Sequence, residues 1–129
     1  MRITFFIFLT MLLTFAACAG ASGDQLVITE ADAGTRVEVQ QGQIFQVSLA
    51  GNQTTGYNWM VTSIDPAIIQ VEGDPVYEPD SNLIGSPGKI SYTFKALTPG
   101  EVNLHLDYQR PWAETVPAEK TFDVTIVVK

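Results

Sequence analysis

The sequence is poor in the residues that enzymes and metal proteins commonly use for chemistry. Its 129 residues include one Cys and one His, which excludes an internal disulfide and makes a zinc site unexpected. Lys and Arg number 7 against 14 Asp and Glu, and the net charge of −7 disfavours nucleic acid as a partner. His105 falls on the polar face of a predicted strand as a solvated residue, and no carboxylates are clustered. We therefore expect no enzyme activity, no cofactor and no metal.

The N-terminus has the features of an export signal. Arg2 is followed by an uncharged run, Ile3–Phe15, and then by small residues around Cys18. The run is shorter than the roughly 18–20 residues that cross a bilayer. Residues 15–18 resemble a bacterial lipobox, in which the Cys becomes the lipidated first residue of the mature protein. Ordinary cleavage after Ala19, which discards the thiol, is the alternative.

The lipoprotein interpretation is favoured because it explains why the only Cys lies at this position. It divides the chain into a signal peptide at 1–17, a flexible tether at 18–24 and a single domain at 25–129. A lipid on Cys18 then anchors the protein to a membrane. We expect an exported protein, which is periplasmic or on the outer membrane in a Gram-negative source and otherwise at the cell surface or secreted.

Alternation of apolar and polar residues dominates the chain after residue 35 and predicts β-strands. The predicted strands lie at 25–29, 35–39, 43–49, 57–62, 68–72, 89–96, 101–109 and 122–128. No long stretch has the 3.6-residue apolar period of a helix. Seven or eight short strands separated by turn residues predict an all-β, immunoglobulin-like antiparallel sandwich, with Trp59 in its core.

The order of the strands predicts where the loops lie. If successive strands run up and down from residue 43, alternate loops lie at the same end of the sandwich. The loops at 50–56, 73–88 and 110–119 then converge on one rim, which is typical of a binding surface. An independent strand at 75–78 breaks this prediction.

Each of the three loops contains an unusual short motif. In the first, Asn52 can bond to its own backbone and Gly56 can adopt a positive φ. In the second, two glycines three residues apart allow a close backbone approach or simply a turn. In the third, Trp112 follows Arg and Pro, and these are residue types that often dominate interface energetics. A Trp in such a loop is difficult to explain as core packing.

In this order and spacing, NQTTGYNW, GSPG and RPWAE resemble the NPTTGY, GxGG and RPWE motifs of the chagasin family over roughly residues 29–129. The resemblance implies an immunoglobulin-like inhibitor of papain-like cysteine peptidases that acts as a wedge of three loops. The first loop, with Thr54 and Thr55, enters the catalytic cleft over the active-site Cys, and the other two loops grip its sides. The peptidase-binding residues that it implies are Asn52, Gln53, Thr54, Thr55, Gly56, Tyr57, Gly85, Ser86, Pro87, Gly88, Arg110, Pro111 and Trp112.

Three positions depart from the family pattern. Gln53 replaces the usual Pro, which removes a constraint on φ, and Pro87 replaces a Gly, which removes an N–H donor. Ala113 stands where the family usually has Glu, so the role of that carboxylate is not transferred.

A competing hypothesis is a lipid-anchored immunoglobulin-like adhesion or carbohydrate-binding module, with Tyr57 and Trp112 stacked on a ligand. A structural lipoprotein without a binding rim leaves the motif of the third loop unexplained. Under the favoured hypothesis the protein is a monomer whose partners are papain-like cysteine peptidases and, through Cys18, a membrane.

Overall fold

The computed structural model describes residues 25–113 and 115–129. Over these residues the chain forms nine strands and two single-turn 3₁₀ helices, Glu30–Asp32 and Gln53–Thr55. The strands are β1 (Leu26–Ile28), β2 (Arg36–Val39), β3 (Ile44–Gly51), β4 (Asn58–Ser63), β5 (Ile69–Val71), β6 (Val76–Pro79), β7 (Gly88–Ala96), β8 (Gly100–Gln109) and β9 (Lys120–Val128). Both helices in the described residues are single turns, and neither could span a bilayer. Cys18, with the predicted signal peptide and tether, lies outside the described residues.

The strands form two sheets packed face to face. One sheet has the order β1-β3-β7-β5, with β6 also paired to β7, and the other has the order β2-β9-β8-β4. The chain changes sheets between β1 and β2, and the result is the immunoglobulin-like sandwich that the sequence predicts. Two edge pairs are not antiparallel as expected, because β1 runs parallel to β3 and β2 runs parallel to β9. Alternation determines which face a residue occupies but not the direction of the neighbouring strand.

The core consists of the inward-facing residues of both sheets. The alternating apolar residues of the three longest strands are buried as predicted, except Tyr92, which is partly buried, and Trp59 is buried among them. Its indole Nε1 donates to the Ala50 carbonyl at 3.0 Å, so its one polar group is satisfied. The largest fully buried side chains are Phe45, Phe94, Ile28, Leu49, Ile69, Leu104, Leu106 and Ile126. This continuous core fixes the strand ends that carry the loops.

The strand that the sequence prediction omits is β6, which raises the count over the described residues from the expected seven or eight to nine. It has four residues and ends in a proline, so its alternation is too short to detect. Both β5 and β6 pair antiparallel with β7, at successive positions along the same strand. They are two parts of one interrupted edge strand and run in the same direction. The up-and-down order from β3 onward is therefore preserved.

Three loops lie at one end of the sandwich as a result. They are called the tip loop (52–57), the second loop (80–87) and the third loop (110–119). The prediction that three long loops share a rim is confirmed, although residues 73–79 belong to the edge strand or to the link before it.

Candidate functional site

The tip loop has a fixed local conformation. Its centre, Gln53–Thr55, is a single 3₁₀ turn that begins after Asn52. The Oδ1 atom of Asn52 accepts the backbone N–H of Thr54 at 3.1 Å, and Gly56 ends the turn with a φ of 84°. A polar cap before the turn and a glycine after it are the features predicted from the sequence.

Hydrogen bonds connect the tip loop to both neighbouring loops and to β8. The backbone N–H of Asn52 donates to Tyr108 Oη at 2.8 Å, and its side-chain Nδ2 donates to the Gly85 carbonyl at 3.1 Å. From the third loop, Arg110 Nε donates to the Thr55 carbonyl at 3.3 Å. The three sequence motifs therefore meet at one end of the molecule, and the tip loop is held from both sides.

A column of aromatic rings supports this end from the core. The ring centroids of Trp59 and Tyr108 are 5.1 Å apart, and those of Tyr108 and Tyr57 are 5.3 Å apart. The guanidinium carbon of Arg110 lies 4.6 Å from the centroid of Tyr57, which completes the column with a cation–π contact. Arg110 is exposed, yet both its Nε and its charged plane are engaged by the tip loop.

Trp112 is a surface residue, as predicted. Its side chain is 72% exposed, yet the indole lies against the tip loop. A Cβ atom built on Gly56 would lie 2.6 Å from Trp112 Cη2, so the glycine is needed for this contact as well as for its φ. Other exposed residues predicted for the site are Gln53, Thr54, Thr55 and Pro111.

Two residues predicted for the second loop are buried. The Ser86 hydroxyl accepts a backbone N–H from within the loop at 3.2 Å and donates to the Pro87 carbonyl at 3.1 Å. A Cβ atom on Gly88 would lie 2.2 Å from the backbone oxygen of Glu78, so this glycine permits close pairing with β6. Gly85 has a φ of 81° at a turn. Ser86 and Gly88 thus shape the loop, because their surfaces are covered by the protein itself, whereas Gly85 and Pro87 are exposed.

The sequence prediction misses two exposed apolar residues of the second loop. Leu83 is 78% exposed and Ile84 is 106% exposed, and both stand just before Gly85. The sequence signal that could have identified them is a pair of adjacent apolar residues in a polar, glycine-containing loop that lacks the alternation of a strand. Large exposed apolar side chains at a rim favour contact with a partner.

His105 is not the solvated residue that the sequence predicts. Its Nδ1 lies 2.5 Å from Asp123 Oδ1 and its Nε2 lies 2.8 Å from Asp107 Oδ1, and the ring is partly covered. Hydrogen bonding to Asp123, and secondarily to Asp107, raises the pKa of His105 despite its partial desolvation. Alternation along a single strand does not reveal that β9 brings a second carboxylate to this ring. Neither at His105 nor elsewhere in the described residues do three His, Cys, Asp or Glu side chains form a group that could hold a metal ion.

Comparisons with sequence families, curated proteins and solved structures all find peptidase inhibitors. The sequence-family model described as Chagasin family peptidase inhibitor I42 matches residues 38–126. Amoebiasin-1 of Entamoeba histolytica is 30% identical over 105 residues, which cover 79% of this chain and 98% of that protein.

Two solved structures share the fold. The cysteine protease inhibitor EhICP2 from Entamoeba histolytica has a TM-score of 0.71 at 19% identity, with 81% of this chain and 95% of that chain covered. PbICP-C, solved in complex with falcipain-2, has a TM-score of 0.55 at 22% identity, with 82% and 90% covered.

Proposed function

Since the chain belongs to the chagasin family of peptidase inhibitors, we propose that its tip loop enters the catalytic cleft of a papain-like cysteine peptidase while the second and third loops grip the sides. The protein is an inhibitor of such peptidases and not an enzyme. The observation that carries the proposed mode of binding is the convergence of three loops, with the tip loop hydrogen-bonded to each of the other two. The comparisons give no support to the adhesion or carbohydrate-binding alternative.

The proposed contact surface consists of the exposed parts of the three loops. Thr54 and Thr55 lie at the centre, Trp112 stands on one side, and Leu83 and Ile84 stand on the other. The hydrogen bonds of Asn52 and Arg110 hold the tip loop in place and so limit the conformational entropy that it loses on binding. This restraint compensates for the φ constraint that is lost because Gln53 replaces Pro.

The conformation of the tip loop also explains how an inhibitor avoids cleavage. Its backbone is folded into a 3₁₀ turn, with the N–H of Thr55 bonded to the Asn52 carbonyl at 3.2 Å and that of Gly56 bonded to the Gln53 carbonyl at 3.1 Å. Hydrogen bonds to β8 and the neighbouring loops oppose extension of this turn, so the turn covers the thiolate without presenting an extended peptide. Incubation with excess active papain should leave the chain intact, whereas rapid cleavage between Thr54 and Thr55 contradicts the proposed wedge.

The experiment that tests the proposed function is substitution of Trp112. Trp112→Ala should raise the inhibition constant against papain about thirtyfold or more, because truncation of a Trp that anchors an interface costs about 2 kcal/mol or more. The free energy of unfolding should change by less than about 0.5 kcal/mol, since the side chain is exposed. Ile44→Ala, an exposed apolar residue at the opposite end, is the matched control and should change neither property. If Trp112→Ala inhibits papain as strongly as the wild type, the proposed role of Trp112 as the anchor of the interface is wrong.

We also propose that Cys18 is lipidated and that the inhibitory end faces away from the membrane. Residue 25 precedes β1, and β1 runs parallel to β3, so the chain enters the domain at the end opposite the tip loop. Seven residues of tether span at most about 25 Å when fully extended. The export-signal features of residues 1–17 support an exported protein that is periplasmic or attached to the outer membrane in a Gram-negative source, and otherwise at the cell surface or secreted.

Two measurements test the anchoring and the oligomeric state. Mass spectrometry of the mature N-terminus should show a chain that begins at Cys18 with acyl groups, and a chain that begins at Gly20 contradicts lipidation. Because one set of three loops forms the whole proposed wedge, we propose that the protein acts as a monomer. Light scattering of the domain should give the mass of one chain.

A further inference from the structure

A cavity lies on the flank of the sandwich, immediately beside the loops. It occupies about 240 Å³ between the edge strands β4 and β6 and is called the flank pocket. Its wall includes Met60, Pro75, Tyr77, Ile90 and Tyr92. The volume is below the roughly 300–1,000 Å³ of a typical small-molecule site, so it suits one inserted side chain.

The chemistry of the wall favours an apolar occupant. The Tyr92 hydroxyl donates to the Trp59 carbonyl at 2.6 Å, and the Tyr77 hydroxyl donates to the Ser86 carbonyl at 2.7 Å. The amide of Gln109 donates towards the Met60 sulfur at 3.7 Å. The tyrosines therefore present mainly ring surface to the pocket, and no residue that lines it is charged.

The flank pocket is continuous with the proposed peptidase contact. Gln53 of the tip loop and Pro111 of the third loop line it, and both stand on the rim that faces the peptidase. The proposed contact surface therefore reaches the edge of the pocket. We propose that the flank pocket receives an apolar side chain from the rim of the peptidase cleft and thereby contributes to selectivity among papain-like enzymes.

This inference rests on the proposed function but concerns a different part of the interface. The tip loop covers the catalytic centre, which papain-like peptidases have in common. The residues on the cleft rim are outside that centre and are free to differ between enzymes. An enzyme with an apolar residue at the matching position gains affinity, and one with a charged residue there loses it, because the wall is mainly apolar and contains no opposite charge.

A photo-crosslink tests the contact directly. Met60 is the only methionine after residue 11, so incorporation of photo-methionine places one near-isosteric diazirine in the wall of the pocket. Irradiation of the inhibited papain complex should link this position to an apolar residue on the rim of the peptidase cleft. Retained inhibition without a crosslink to the peptidase, or a crosslink only to a second copy of the inhibitor, overturns the proposal. If the unlabelled protein does not inhibit papain at all, the proposed function fails as well.

Substitution at the same position provides the second test. Met60→Lys should raise the inhibition constant about tenfold against a peptidase that has an apolar rim residue, because one buried apolar contact is lost and a charge is introduced. Thr62→Lys is the matched control, since it adds the same charge two residues along the same strand but outside the pocket. It should leave the constant within twofold. Equal effects of the two substitutions, with equal melting temperatures, contradict a role for the pocket.

Discussion

Replacement of Gly56 by alanine tests whether the tip loop and Trp112 act as one unit. Gly56 has a φ of 84°, and a Cβ atom at this position would lie 2.6 Å from Trp112 Cη2. Carbon atoms in favourable contact are about 3.5–4.0 Å apart, so the indole must move by about 1 Å or more. The substitution therefore disturbs two separate features, which are the backbone conformation of the tip loop and the position of the exposed indole.

The effects of these two disturbances on stability and on binding can be estimated separately. An alanine in the left-handed region costs about 1–2 kcal/mol of stability. For a domain of this size, each kcal/mol lowers the melting temperature by about 4–8 °C. Displacement of the indole adds little to that loss, because an exposed side chain can rotate into solvent. Binding should weaken about ten- to thirtyfold, since Trp112 is the proposed anchor of the third loop.

Gly42→Ala is the matched control for this substitution. Gly42 has a φ of 83° in the turn before β3, at the opposite end of the sandwich, and its surroundings leave space for a Cβ atom. Both variants should lose similar stability in urea unfolding, but only Gly56→Ala should inhibit papain poorly in a titration with a fluorogenic substrate. Equal inhibition by the two variants would refute the proposed coupling of Gly56 and Trp112.

Three further substitutions have defined outcomes. Asn52→Ala should lower the free energy of unfolding by about 1 kcal/mol in urea titrations and weaken inhibition. The reason is that it removes the cap of the tip turn and the hydrogen bond to the second loop. Stability equal to that of the wild type contradicts this role of Asn52. Gly88→Ala should prevent normal folding or lower the melting temperature strongly, since its Cβ would overlap the backbone of β6, and a fully stable variant contradicts the observed packing. His105→Gln should be less stable than the wild type at pH 5.5, and the difference should decrease towards pH 9. The folded-state pKa of His105 is raised, so its stabilisation is complete below the unfolded value near 6.5 and is lost as the pH rises through the folded value. A difference that is constant with pH contradicts the charged role of this ring.

The sequence predicts much of the site because several of its residues act locally. Asn52 and Gly56 determine the tip turn through their own backbone and side-chain geometry, and that geometry can be inferred from residue type. Trp112 is identified as exposed because it stands beside Arg and Pro outside any alternating pattern. In contrast, Ser86 and Gly88 cannot be assigned from their motif, since their burial depends on β6, a strand too short to predict.

Contacts between distant segments account for the remaining differences. His105 is predicted as a solvated residue because its second carboxylate partner lies on β9, and only the β8–β9 register brings the two together. Likewise, the contact of Arg110 with the tip loop depends on Tyr57, whose ring the fold places under the guanidinium.

By itself, the sequence determined the sandwich, its core and the end at which the loops gather, since alternation and turn residues are local properties with a period of two. The parallel pairing of β1 with β3 and of β2 with β9, the burial of Ser86 and Gly88, and the hydrogen bonds that join the tip loop to its neighbours were decided only by the tertiary structure. The physical reason is that each depends on which segments the shared core brings together, and hydrophobic burial is non-directional and specifies no partner in the linear chain.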